Sequence, residues 1–348
     1  MPKKISFLFL ICCSALKAQN VPVWEAKPVV ITDTVRYDTD DPAIWYNARR
    51  PKKSLIIGTD KGGKSGDGGI YVFDLNGKNL KEKNILGISR PNNVDIAYGL
   101  KLPNGKQADI AVCTERNTNK IRVISLPDMK IIDGGGISVF EGEAERSPMG
   151  IALYTHKGEI YAIVGRKSGP AEGYLFQYQL KANAQGIVEG QLVRKFGKYS
   201  GKKEIESIAV DNELGYVYYS DENIGIRKYY AHPDSSSTEL ALFGTEGFKD
   251  DHEGISIYKT SVGTGYILVS DQQANQFRIF PREGTLTSPN QHPLLGIVKT
   301  QTQESDGSDV THLPLGKRFR RGLFVAMSTD RTFQYYRWED IIKGLEKK

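Results

Sequence analysis

Two series of polar residues recur along the chain, each at the edge of a short apolar run. The first opens the runs Asp41-Pro-Ala-Ile-Trp, Asn93-Val-Asp-Ile-Ala-Tyr, Met149-Gly-Ile-Ala-Leu-Tyr, Glu206-Ser-Ile-Ala-Val, Glu253-Gly-Ile-Ser-Ile-Tyr and Asp306-Gly-Ser-Asp-Val. It is mainly acidic: Asp40, Asp41, Asp95, Glu206, Glu253, Asp306 and Asp309. The second closes the following runs with Lys61, Arg116, Arg166 and Lys167 in the first half of the chain and Asp221, Glu222, Asp271 and Asp330 in the second. Carboxylates gathered at short range repel one another unless they are protonated or bridged by a cation. Oxygen ligands without clustered His or Cys favour Ca²⁺ over Zn²⁺. Lys and Arg beside such an ion suit a substrate bearing several phosphates, because cations hold the anions while metal neutralises charge built up during attack.

For these residues to meet, the elements carrying them must converge. Each acidic opening recurs after roughly 50 residues and is followed by a second and a third strand-like run, such as Ile70-Tyr-Val-Phe-Asp-Leu and Ile121-Arg-Val-Ile-Ser-Leu; that period marks propeller blades. The expectation is an all-β, six-bladed β-propeller in a single domain. Consecutive strands of a blade are antiparallel, so the start of the first and the end of the second share one face of the disc. The stretch Lys27 to Val35 is expected to supply the outermost strand of the last blade, and Trp338 to Leu345 a short terminal helix.

Composition agrees with this class. The 348 residues are 25% charged and 39% apolar, with 36 Gly and 18 Tyr, which excludes a disordered chain and an all-helical bundle. Lys3 and Lys4, the apolar run Ile5 to Leu16 and then Lys17-Ala18-Gln19 predict a signal peptide over residues 1–18, with the propeller domain at 19–348. The apolar run is too short for a stable membrane span. A lipid anchor on Cys12 or Cys13 is disfavoured by Ile11, so a secreted or periplasmic protein is expected. Cleavage would remove Lys3, Lys4 and Lys17 and halve the formal net charge of +6. It would also leave Cys113 alone, with no internal disulfide, in an apolar stretch that reads as core.

Other signals are declined. Gly58 to Ser65 has P-loop spacing, but the β-patterned Ile70 to Leu75 follows where a helix is required. His252-Glu253 lacks a second His for a zinc site. The basic stretch Lys317 to Arg321 falls in a loop, and no nucleic-acid partner is expected. A monomer acting on a small molecule is.

With these residues in view, the chain resembles the β-propeller phytases, calcium-dependent enzymes that remove phosphate from inositol hexakisphosphate. The likeness spans about residues 28 to 340. It is most specific in Asp38-Thr-Asp-Asp-Pro-Ala-Ile-Trp45 and in Pro91-Asn-Asn-Val-Asp-Ile96 with Gly87 ahead of it; Asp251-His-Glu-Gly-Ile255 and Gly322-Leu-Phe-Val-Ala326 support it. The resemblance implies several Ca²⁺ ions, with Asp40, Glu206, Glu222, Glu253 and Asp306 around the catalytic calcium and the attacking water. It implies phosphate binding by Lys61 and Arg116 at the cleavage site and by Lys167. Asp41, Asn93, Asp95, Asp251 and Gln272 fall in or beside segments that hold structural calcium, and calcium phytate is the implied substrate. The chain departs from the family's pattern at Met149, where a tyrosine often stands, at Gly62 in place of a second lysine, at Ser168 in place of an acid, and in a shortened loop near Met327 to Asp330. A calcium-dependent lactonase on the same fold, or a propeller that binds phosphate-rich ligands without turnover, are the alternatives; the first needs no Lys61, Arg116 and Lys167.

Overall fold

A computed structural model describes residues 21–346. The predicted leader, with Cys12 and Cys13, lies outside the described residues. Six sheets follow one another along the chain. Their innermost strands are Thr39–Trp45, Val94–Lys101, Pro148–His156, Ile208–Asp211, His252–Ser261 and Ser308–Thr311. Each innermost strand touches the next, and the sixth returns to the first, which closes a six-bladed ring. No described helix is long and apolar enough to cross a membrane.

The second strands, such as Leu55–Asp60 and Gln107–Glu115, are near-continuous apolar runs because a blade is covered on both faces. In Ile110-Ala111-Val112-Cys113, Ile110 and Val112 face blade 3 while Ala111 and Cys113 face blade 1. The core is accordingly six apolar wedges, one in each gap between neighbouring blades. Each buried Ile, Leu or Phe contributes about 1.5–3 kcal/mol, so the ring is held by its gaps. Cys113 is fully buried, and burial pushes its thiol up, as expected for core.

Ring closure uses both ends of the chain. Val30–Ile31 pairs antiparallel with Thr332–Arg337 as the outer strand of blade 6, as expected. A second closure was not legible in the sequence: Val23–Glu25 adds in parallel to Gly296–Lys299 on blade 5. The terminal helix is Trp338–Ile342, and its Trp338 stacks on Tyr258 in the wedge between blades 5 and 6.

Polar stitches join the blades near the axis. Asp41 Oδ2 accepts from Val94 N of blade 2 (3.0 Å), Asp95 Oδ2 from Leu153 N of blade 3 (2.6 Å), and Asp309 Oδ2 from Ile44 N of blade 1 (2.7 Å).

Candidate active site

Three of the innermost strands begin with a bulge: register slips between Thr39 and Pro42, between Pro148 and Ile151, and between His252 and Ile255. A bulge re-aims side chains at a sheet's end. Here it lets the successive residues Asp40 and Asp41 serve different places, Asp40 the outer face and Asp41 the axial channel. Glycines at the starts of innermost strands permit the crowding. A Cβ on Gly150 would lie 2.2 Å from the Glu206 carbonyl, and one on Gly307 would lie 2.2 Å from Asp41 Oδ1.

On the face, Glu206, Glu222 and Glu253 present carboxylate oxygens within 4.8 Å of one another. Asp40, fully buried, and Glu206 are bridged by one amide: Asn92 Nδ2 donates to Asp40 Oδ2 (2.8 Å) and to Glu206 Oε1 (2.9 Å). Asp306 accepts from Gln272 Nε2 (2.5 Å) and from Lys61 Nζ (2.9 Å), and the same ammonium lies 3.8 Å from Asp40 and 3.7 Å from Asp38. At the other end, Asp251 is held by Lys203, by Asn223 (2.6 Å) and by Gln273 (2.6 Å), with Glu222 3.5 Å from Lys203 Nζ. Lys61 therefore serves Asp38, Asp40 and Asp306, Lys203 serves Glu222 and Asp251, and Glu206 and Glu253 meet no ammonium within salt-bridge range among the described residues.

The imbalance shows in the protonation equilibria. Burial raises the Asp40 carboxyl to about 6, with Lys61 opposing the rise and the Asp306 and Asp38 charges adding to it. Burial and the Asp251 charge raise Glu222 to about 8, and burial with neighbouring carboxylates holds Glu206 and Glu253 well above the usual range. For Lys61 burial opposes the charge, but Asp40, Asp306 and Glu206 outweigh it and push the ammonium up. Asp40 Oδ1, Glu222 Oε1 and Glu253 Oε2 are buried without a hydrogen-bond partner. Unpartnered oxygens of several carboxylates, with no His or Cys among them, fit a hard divalent cation.

The remaining predicted residues are distributed as follows. Arg116 is half-buried beside the cluster, meets no carboxylate within salt-bridge range among the described residues, and is pulled below its usual range by burial and then by the neighbouring Arg90. Lys167 is paired with Glu204 at 2.8 Å. Asn93, its amide oriented to donate, reaches the carbonyls of Met149 (3.1 Å) and Glu206 (3.3 Å). Asp41, Asn93 and Asp95 line an axial channel of about 220 Å³ rather than the face, and burial raises Asp95 to about 7. The channel's far end opens into a cavity of about 1030 Å³, lined by the ends of the innermost strands; of the predicted ligands it contains only Asp95. The acid cluster is on the opposite face.

Several residues of the second polar series do other work. Arg166 is fully buried against Phe140 and Phe176 and bonds Glu143, so it is no part of a cationic surface. Asp221 and Asp271 clamp Arg227 (2.8 Å) and Arg278 (2.9 Å) within their own blades. No helix follows Gly58 to Ser65; the chain enters the strand Asp67–Phe73. Met149 is buried, and its carbonyl accepts from Thr114. Ser168 Oγ donates to Glu145.

Asn92 and Lys203 were not singled out from the sequence. Asn92 had a signal: if Asn93 corresponds to Asp41 at the channel, the residue before it corresponds to Asp40 on the face. Lys203 had none, since it belongs to a loop outside the repeat.

The profile of the family described as Phytase matches residues 7–342. The 3-phytase of Bacillus subtilis (strain 168) is 30% identical over 343 residues, covering 92% of this chain and 84% of that one. Among solved structures, a chain in the crystal structure of the mitotic checkpoint complex is similar at a TM-score of 0.50 with 8% identity, over 97% of this chain and 98% of its own length, a likeness of fold alone. The β-propeller domain of Myceliophteria thermophila Cps50 (Swd1) overlaps at a TM-score of 0.49 with 10% identity, over 88% and 85% of the two chains. With a family profile matched over nearly its whole length and a relative aligned across the ring, the chain belongs to the phytase family.

Proposed function

We propose that the protein is an exported, monomeric phosphomonoesterase that hydrolyses calcium-bound phytate to lower inositol phosphates and phosphate by direct attack of water. Family membership supports phytate hydrolysis, and the 3-phytase relative supports the same reaction class. The observation that carries calcium dependence is the cluster of Asp40, Glu206, Glu222, Glu253 and Asp306, whose buried oxygens outnumber their protein partners. These residues would hold calcium, and Asp41, Asn93, Asp95, Asp251 and Gln272 fall to supporting ion sites. Calcium, when bound, supplies Lewis acidity that activates water and neutralises the phosphate oxygens.

The chain's own contributions follow from where its cations lie. Lys61 reaches the cluster from blade 1 and Arg116 from blade 2, so both can hold oxygens of one phosphate, the guanidinium in a two-pronged manner. Asn92 keeps Asp40 and Glu206 aligned without adding charge. Lys167, half-exposed and paired with Glu204, is placed to take a second phosphate of the same substrate. Among the described residues no side chain is activated as a nucleophile: the thiol of Cys113 is buried in a wedge, and His252, between Asp251 and Glu253, turns its ring to the Gly244 carbonyl and Phe248.

Phosphate release from phytate in Ca²⁺, lost in excess chelator, restored by Ca²⁺ and strongly reduced in Glu206→Gln and Arg116→Ala, is the expected result. Full activity in excess chelator overturns it. Tight phytate binding without turnover would instead identify a non-catalytic binder.

A further inference from the structure

Lys203 stands at the Glu222 and Asp251 end of the cluster, in contact with both carboxylates. Its loop is fixed on both sides: Ser200 donates through N (3.0 Å) and Oγ (2.6 Å) to Asp221, and the Tyr199 hydroxyl donates to the Lys203 carbonyl. The side chain is thereby directed at Asp251 and Glu222. Asp251 is already oriented by Asn223 and Gln273, and Glu222 Oε1 remains buried and unpartnered. The ammonium is thus in contact with one oxygen of each carboxylate and leaves acceptor capacity unused.

Lys61 and Lys203 sit at opposite ends of the cluster but differ in freedom. The Lys61 side chain is 15% exposed and enclosed by three carboxylates, whereas that of Lys203 is 46% exposed and can withdraw into solvent without breaking any other contact it makes. An ammonium and a divalent ion cannot both occupy the same oxygens, since their charges repel and the ion needs six or more oxygen ligands.

We propose that Lys203 is a displaceable internal cation. It neutralises the Glu222 and Asp251 end of the cluster while no metal is there, and it leaves when a divalent ion takes those oxygens. This rests on the cluster being a calcium site. Two consequences are coupled: the metal-free ring is held together at this end by Lys203, and calcium affinity there is lowered by the fraction of time the lysine occupies the oxygens.

The experiment is calcium titration by calorimetry of the full chain after chelator treatment, paired with melting temperature in chelator. Lys203→Ala is expected to bind calcium about tenfold more tightly at the affected site and to melt lower than the parent in chelator; Lys203→Arg should match the parent in both. Lys203→Gln repeats the measurement if the alanine variant does not fold. An unchanged isotherm in Lys203→Ala or Lys203→Gln overturns the proposal. Glu222→Gln separates the two readings. If it weakens calcium while removal of Lys203 changes nothing, only the role of Lys203 falls; if it also changes nothing, calcium at this end falls with it.

Discussion

Lys61 Nζ lies 2.9 Å from Asp306 Oδ2, joining blade 1 to blade 6 across the acid cluster. The pair ties blade 1 to blade 6 at the point where the acidic cluster sits, so in the proposed reaction one side chain would serve both assembly and phosphate binding.

Lys61→Ala removes that cation and, in the proposed reaction, one donor to the phosphate. Its kcat/KM for phytate should fall by about 10²–10³, with Lys61→Arg recovering part of the loss. Steady-state phosphate release in saturating calcium measures this; a loss below threefold would show that Lys61 does not touch the transferred phosphate.

Asn92→Ala leaves the buried Asp40 and the part-buried Glu206 without their shared donor. The variant should lose about 1–3 kcal/mol of stability, read by urea denaturation. Asn92→Asp should be worse for activity than Asn92→Ala, because it adds a negative charge where Asp40 and Glu206 already repel.

The raised carboxyls set a pH dependence for the metal-free protein. A carboxyl whose folded value exceeds its unfolded one binds more protons when folded. Its stabilising contribution is therefore present at low pH and is lost as pH rises from the unfolded to the folded value. For Glu222 that window runs from 4.5 to about 8, and for Asp40 from 3.8 to about 6. Melting temperature in chelator should fall as pH rises through this range, and added Ca²⁺ should reduce or reverse the fall. A chelator profile flat from pH 4.5 to 8 would show that these groups are not strained in the fold.

Gly307→Ala places a Cβ 2.2 Å from Asp41 Oδ1, a contact that must be relieved by moving the start of blade 6 or the Asp41 stitch to Val94. A cost of about 1–3 kcal/mol is expected, with a matching loss of activity because Asp306 precedes the altered residue. Thermal unfolding and phosphate release on the same sample test both.

The repeat made the blades legible because burial on both faces writes each second strand as an unbroken apolar run, and the acidic openings then had to share a face. Asp40, Glu206, Glu222, Glu253, Asp306 and Lys61 do meet there. What the repeat could not show was which of two adjacent polar residues faces outward, since the bulges at the strand starts break the period of two. The channel position of Asp41 was hidden for that reason, and Asn92 showed only through its alignment with Asp40. Arg166 and Lys203 were hidden for another: whether a cation is a core clamp, a counter-ion or a surface group depends on a neighbouring loop that carries no periodic signal.

The closure of the ring by residues 23–31 on blades 5 and 6 has a temporal meaning. Asp306 and the three inner strands of blade 6 follow the other five blades in sequence, while the outer strand of that blade comes from Val30–Ile31, ahead of blade 1. A chain still emerging from the ribosome, or truncated before Asp306, can form blades but not the complete set of carboxylates. The acidic cluster is therefore completed only when the sixth blade meets the first, so that closing the ring and assembling the proposed site are one event.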